Sequence, residues 1–105
     1  MSPDKWDSIV HDPIRMQVLI ALIGTDRLDF TYLKKTTNTT DGNMATHLRK
    51  LEGASYVAYK KTYLGRRPKT WYWITEQGRI ALARHLDRLE QLIEQGRGEG
   101  EVSDS

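Results

Sequence analysis

A chain of 105 residues has room for one domain with a modest hydrophobic core, and part of its burial is expected to come from a partner chain. It contains no cysteine, which excludes disulfides, thiolate metal sites and thiol redox sensing together. The net charge of +2 conceals an asymmetry: residues 34–69 hold nine Lys/Arg against two Asp/Glu, a balance of +7, and the remainder holds seven against twelve, a balance of −5. A basic segment on an acidic body is the electrostatic footprint of a phosphate-backbone binder.

The start, Met1-Ser2-Pro3-Asp4, is polar, and the longest unbroken apolar run, Val18 to Ile23, is six residues. Neither a secretory leader nor a membrane span is expected, and the pattern points to a cytoplasmic protein. Asp12 is placed to cap a first helix, with Pro13 tolerated at its first position, running to about Gly24. Val18, Leu19, Leu22 and Ile23 give its core stripe, and Ile14, Ile20 and Ala21 extend the apolar surface. Arg27-Leu28-Asp29 fits a short strand, after which Asp29 caps a second helix from Phe30 to about Lys35. In the turn Thr36-Thr37-Asn38-Thr39, Asn38 is the residue best suited to a left-handed conformation.

Thr40 or Asp41 caps a third helix that ends near Ala54. At about 100° per residue, Leu48 and Leu51 fall within roughly 40° of Met44, forming a buried stripe. Gly42, Asn43, Thr46, Arg49 and Lys50 fall on the far side, where a helix lying in a major groove needs donors and acceptors without bulk. His47 lies on the border and reads as a packing residue. Val57 to Tyr63 and Thr70 to Ile74 form a hairpin around Leu64-Gly65-Arg66-Arg67-Pro68-Lys69. Arg66, Arg67 and Lys69 on that cationic tip are candidates for phosphate or minor-groove contact. Tyr59, Tyr63, Trp71, Tyr72 and Trp73 also permit base stacking on a single strand, but core packing suits Tyr72 and Ile74 better; the pattern does not orient Trp71 and Trp73.

Thr75 caps a last helix, with Glu76 favourable at its positive end, continuing to about Gln95. Leu82, Leu86, Leu89 and Ile93 recur at intervals of 4, 3 and 4, the spacing of a seam between helices. Ile80 and Ala83 are expected to pack on the chain's own domain, leaving the Leu seam as a dimer interface. Residues 1–11, notably Trp6 and Ile9, are expected beside it. Residues 96–105, Gly-rich and acidic, predict a disordered tail.

Residues 11–78 resemble a winged helix-turn-helix transcriptional regulator of the broad MarR/ArsR type, most like its compact stand-alone group. The resemblance rests on His11-Asp12-Pro13-Ile14-Arg15 with Val18-Leu19 and Leu22, Phe30-Thr31-Tyr32-Leu33, the run Thr40 to Glu52, Tyr56-Val57, the run Gly65 to Tyr72, and Ile74-Thr75-Glu76-Gln77-Gly78. It implies a mainly α fold with a small sheet, divided into a winged helix domain at 12–78 and a dimerisation helix at 76–95. It further implies a homodimer on a pseudo-palindromic operator of double-stranded DNA, the third helix in the major groove and the wing at the flanking minor groove. Ser55 stands where such sequences commonly have Gly after the recognition helix, which predicts a strained left-handed cap or its shift to Gly53. Thr39 stands where the turn usually buries an aliphatic residue, which predicts looser packing of the second helix on the third.

A winged helix that binds only protein is the competing reading, and it leaves the +7 segment without a role. An enzyme is disfavoured: the histidines stand apart at 11, 47 and 85, no glycine loop is shaped for a phosphate, and no carboxylate pair flanks a nucleophile. No cofactor is implied, and no metal, since His85 with Asp87 does not complete a ligand set. Whether a small-molecule effector exists is not readable from the residues; one would be expected between the dimer layer and the DNA-binding lobe.

Overall fold

The computed structural model describes the backbone of residues 6–103 and the side chains of 6–98. In order, the elements are α1 (Pro13–Ile23), β1 (Leu28–Asp29), α2 (Phe30–Thr36), α3 (Asp41–Gly53), β2 (Val57–Leu64), β3 (Arg67–Ile74) and α4 (Glu76–Ser103). Among the described residues, four helices thus surround a three-stranded antiparallel sheet of order β1-β3-β2, which is a winged helix. The expected capping residues act as caps. Asp12 accepts from the amides of Ile14 and Arg15, Asp29 from Tyr32, and Thr40 rather than Asp41 from Asn43.

The core is one cluster in which Val18, Leu19 and Leu22 of α1 meet Leu33 of α2, Met44, Leu48 and Leu51 of α3, Val57, Tyr72 and Ile74 of the sheet, and Leu82 of α4. Among the described residues, two other than glycine carry positive φ, and both end helices. Asn38 (φ 53°) closes α2, with its amide on the Lys35 carbonyl and that of Thr39 on Lys34. Ser55 (φ 65°) closes α3 in the same way, its amide on Glu52 and that of Tyr56 on Leu51. The left-handed cap therefore stays at Ser55 and does not move to Gly53. Thr39 is half-buried and satisfies its hydroxyl against that of Thr37 at 2.7 Å, which in turn is 2.7 Å from the Leu33 carbonyl, so the turn is closed by polar contacts in place of an aliphatic plug.

The hairpin is longer and tighter than its sequence suggested. Leu64 pairs with Arg67, leaving a two-residue turn of Gly65 and Arg66, and Gly65 (φ 64°) supplies the positive φ that such a turn needs first. Pro68 falls on the part of β3 that β1 does not reach, since β1 pairs only with Trp71 and Tyr72. The register also orients the tryptophans. Tyr72 and Ile74 point to the core, and Trp71 and Trp73 share the opposite, outer face.

The last helix departs most from expectation. Gly78 is buried against the Tyr56 carbonyl so closely that a Cβ would stand 2.1 Å from the oxygen. This contact sets the rotation of α4, turning Gly78, Ala81, Leu82 and His85 into one inward arc of about 100°. Leu82, at 1% exposure, is therefore core and not dimer interface, and Ile80 and Ala83 face solvent instead of packing on the domain. The inward arc continues beyond the domain as Leu89 and Leu92, flanked by Leu86 and Ile93, of which Leu86, Leu92 and Ile93 are exposed. The helix also runs through Gly96 and Gly98 to Ser103, past the end expected near Gln95, because no proline interrupts it; residues 104 and 105 of the expected tail lie outside the described residues. Among the described residues, no helix is long and apolar enough to cross a membrane.

Candidate nucleic-acid interface

The outer side of α3 carries Gly42, Asn43, Thr46, Arg49 and Lys50, all exposed as the helical wheel required. Thr46 Oγ1 donates to the Gly42 carbonyl at 3.0 Å, leaving that oxygen free to accept. A Cβ on Gly42 would meet nothing within 4 Å, so its bareness is not imposed by the chain's own packing and leaves space for an approaching surface. Lys34 of α2 is drawn to the first turn of α3 by an ion pair with Asp41 at 2.8 Å. Arg49 and Lys50, together with Arg66 and Arg67 on the wing, present exposed guanidinium and ammonium groups.

Lys69 is placed differently from the other wing cations. Its Nζ is 3.1 Å from Asp29 Oδ2 and 4.8 Å from the centre of the Trp71 ring, which Arg27 approaches at 4.2 Å. Lys69 thus braces the root of the wing against β1, and its half-buried position leaves it less free to reach a ligand than Arg66 or Arg67. Burial raises the Asp29 carboxyl, but the Tyr32 amide and Lys69 outweigh it, so Asp29 stays below the usual carboxylate range and ionised at neutral pH. Sequence reasoning missed this brace. The period-two register of β3 contained it, since Lys69 and Trp71 fall on one face with Asp29 opposite Trp71.

A second missed feature lies behind α3. Arg15 is buried within the apolar stripe of α1, where a cation requires internal partners. It donates through Nε to the Ile9 carbonyl at 2.6 Å and through Nη2 to Ser8 at 3.3 Å, and its Nη1 lies 2.9 Å from His47 Nδ1. His47 packs as expected, and also links the recognition helix to the segment preceding α1. That segment is tied down in turn: Asp7 accepts from the amides of Ile9 and Val10 and from the Tyr56 hydroxyl at 2.5 Å. Trp6 stacks on His11 at 4.7 Å and meets His85 edge-on at 5.2 Å, with the Arg88 guanidinium 4.6 Å from its ring centre, so it does pack beside α4.

Residues 14–93 match the family model of the winged helix DNA-binding domain. The chain belongs to that family. An uncharacterized protein of Methanocaldococcus jannaschii is 38% identical over 84 residues, covering 80% of this chain and 91% of that protein. Among solved structures, a transcriptional regulator homologue from Pyrococcus horikoshii OT3 superposes with a TM-score of 0.76 at 30% identity, covering 83% of this chain and 86% of that one. A MarR family transcriptional regulator from Streptomyces coelicolor, solved in complex with DNA, shares the fold with a TM-score of 0.64 at 22% identity, covering 88% and 67%. Family and fold together point to a winged helix transcriptional regulator built around a DNA-binding domain.

Proposed function

We propose that the protein acts as a homodimer that binds a pseudo-palindromic operator sequence-specifically in the cytoplasm, reading bases with α3 and gripping the backbone with the wing. The observation that carries this reading is the exposed row Gly42, Asn43, Thr46, Arg49 and Lys50 on one helix, on the same domain as a hairpin whose tip carries Arg66 in the turn and Arg67 at the start of β3. Asn43 and Thr46 suit base edges, Arg49 and Lys50 suit bases or phosphates, and Arg66 with Arg67 suits phosphates or a narrow minor groove. Lys69 acts mainly by holding the wing.

The dimer contact falls on Leu86, Leu89, Leu92 and Ile93, where the apolar arc of α4 passes beyond its own domain. Two copies related by a two-fold axis then present their α3 helices to successive major grooves, about 34–36 Å apart. Selection of duplexes bound from a pool of genomic fragments, followed by sedimentation of the complex, tests the proposal. Recovery of one motif with two inverted half-sites and a 2:1 protein-to-duplex ratio is expected. Failure to bind any duplex at low salt would favour a winged helix that recognises protein.

A further inference from the structure

We infer that His47 is a further DNA-binding residue, its Nε2–H donating to a backbone phosphate at the edge of α3. This rests on the duplex-binding reading above. His47 follows Asn43 by four residues and precedes Lys50 by three, so it lies about 40° and 60° from them around the helix, on the flank facing α1.

The proton's location follows from its neighbours. The guanidinium of Arg15 offers only donors, so the nitrogen facing it at 2.9 Å, His47 Nδ1, must present its lone pair. Asp12 Oδ1 also lies near that nitrogen, but at 3.8 Å it is beyond hydrogen-bond reach and already accepts from the amides of Ile14 and Arg15. The neutral ring therefore carries its proton on Nε2. That atom has no partner among the described residues and is not among their buried unpaired polar atoms, so it meets solvent. Arg15 itself is fixed by the Ile9 and Ser8 carbonyls, so the ring is held at one end and presents a donor at the other. A cation bonded to Nδ1 also polarises the ring and strengthens that donor.

A phosphate fits this donor better than a base. The ring is short, tethered to α1 and about 100° around the helix from Thr46 at the centre of the outward face, beyond the edge formed by Asn43 and Lys50, so it meets the strand that flanks the helix. The contact is neutral on the protein side and releases no counterion, which separates it from those of Arg66 and Arg67.

Two measurements test the inference at pH 8. In the free protein, long-range proton–nitrogen correlation of the His47 ring should show a protonated Nε2 and a bare Nδ1. In anisotropy titrations on the selected duplex, H47A should bind about 3- to 10-fold more weakly per half-site, equally across operator variants and with an unchanged salt slope. H47Q, whose amide nitrogen can occupy the Nε2 position, should recover most of the loss. The inference fails if the proton resides on Nδ1, if H47A binds like the wild type, if H47Q is as weak as H47A, or if the ranking of operator variants changes. Wild-type protein that binds no duplex removes the underlying reading as well, and that is read separately from the variants.

Discussion

Substituting Gly78 by alanine should be among the most damaging single-methyl changes in this chain. A Cβ there would lie 2.1 Å from the Tyr56 carbonyl oxygen and 2.9 Å from Ile74 Cγ1, and the first of these is a backbone atom that no rotamer change relieves. Restoring ordinary contact requires α4 and the start of β2 to separate by about 1 Å, an overpacking strain of roughly 1–3 kcal/mol. The same separation stretches the bond from the Thr75 amide to the Tyr56 carbonyl, now 3.0 Å, at about 1 kcal/mol. Against this, alanine gains about 1 kcal/mol over glycine in helix propensity. The net loss is therefore about 2 kcal/mol, equivalent to a melting temperature lower by about 10 °C for a domain of this size. Urea denaturation followed by circular dichroism measures it, with G96A as the control because a Cβ at Gly96 meets nothing within 4 Å. G96A should be neutral or slightly stabilising. A G78A protein as stable as the wild type would refute the close approach of α4 to Tyr56, and with it the rotation assigned to that helix.

Replacing Ser55 by glycine should raise stability by about 0.5–1 kcal/mol in the same assay, because φ at 65° burdens a residue with a Cβ; no gain would mean that the left-handed cap is not at Ser55. The double variant L86E/I93E places carboxylates at positions exposed in the single chain, so the domain should fold normally yet sediment as a monomer and lose operator affinity. A dimer that survives it would place the interface elsewhere. Stability should also fall on mild acidification. His85 is 97% inaccessible, and burial, His11 and Arg88 hold its pKa below the ordinary 6.5 despite Asp7, so its contribution is complete above about 6.5 and is lost as the pH falls through the lower folded value. Melting temperatures between pH 7.5 and 5 should show this decline, and H85L should flatten it; equal slopes in the two proteins would exclude His85 as the cause.

Local chemistry made most of the fold readable from the sequence. Asp12, Asp29 and Thr40 each cap a helix through nearby amides, and Asn38 tolerates its left-handed turn, so each reports its place without tertiary information. The outward row on α3 was equally legible, because Met44, Leu48 and Leu51 fix which side is buried. The rotation of α4 was not. Its apolar residues occupy most of the cylinder, and the choice between Leu82 and Ile80 for the core was made by one contact between residues distant in sequence, Gly78 on Tyr56. Leu92 was overlooked because it lies outside the 4-3-4 spacing, although it continues the inward arc. The bracing of Lys69 by Asp29 and the seating of Arg15 behind His47 were hidden for the same reason, each joining elements that only the tertiary fold brings together. An arginine in line with Val18, Leu19 and Leu22 was the one clue to the latter.

The most direct test of the DNA-binding assignment is the salt dependence of binding to the selected duplex, compared between wild type and the R66A/R67A variant. Arg49, Lys50, Arg66 and Arg67 in each half of a dimer release counterions from about eight phosphates, which gives a slope of log affinity on log salt near −7. Removing the two wing arginines from both halves should flatten that slope by about 3 to 4 and weaken all duplexes alike, leaving the preference among operator variants to α3. A slope unchanged in the variant, or a wild-type affinity indifferent to salt, would contradict the placement of DNA along α3 and the wing.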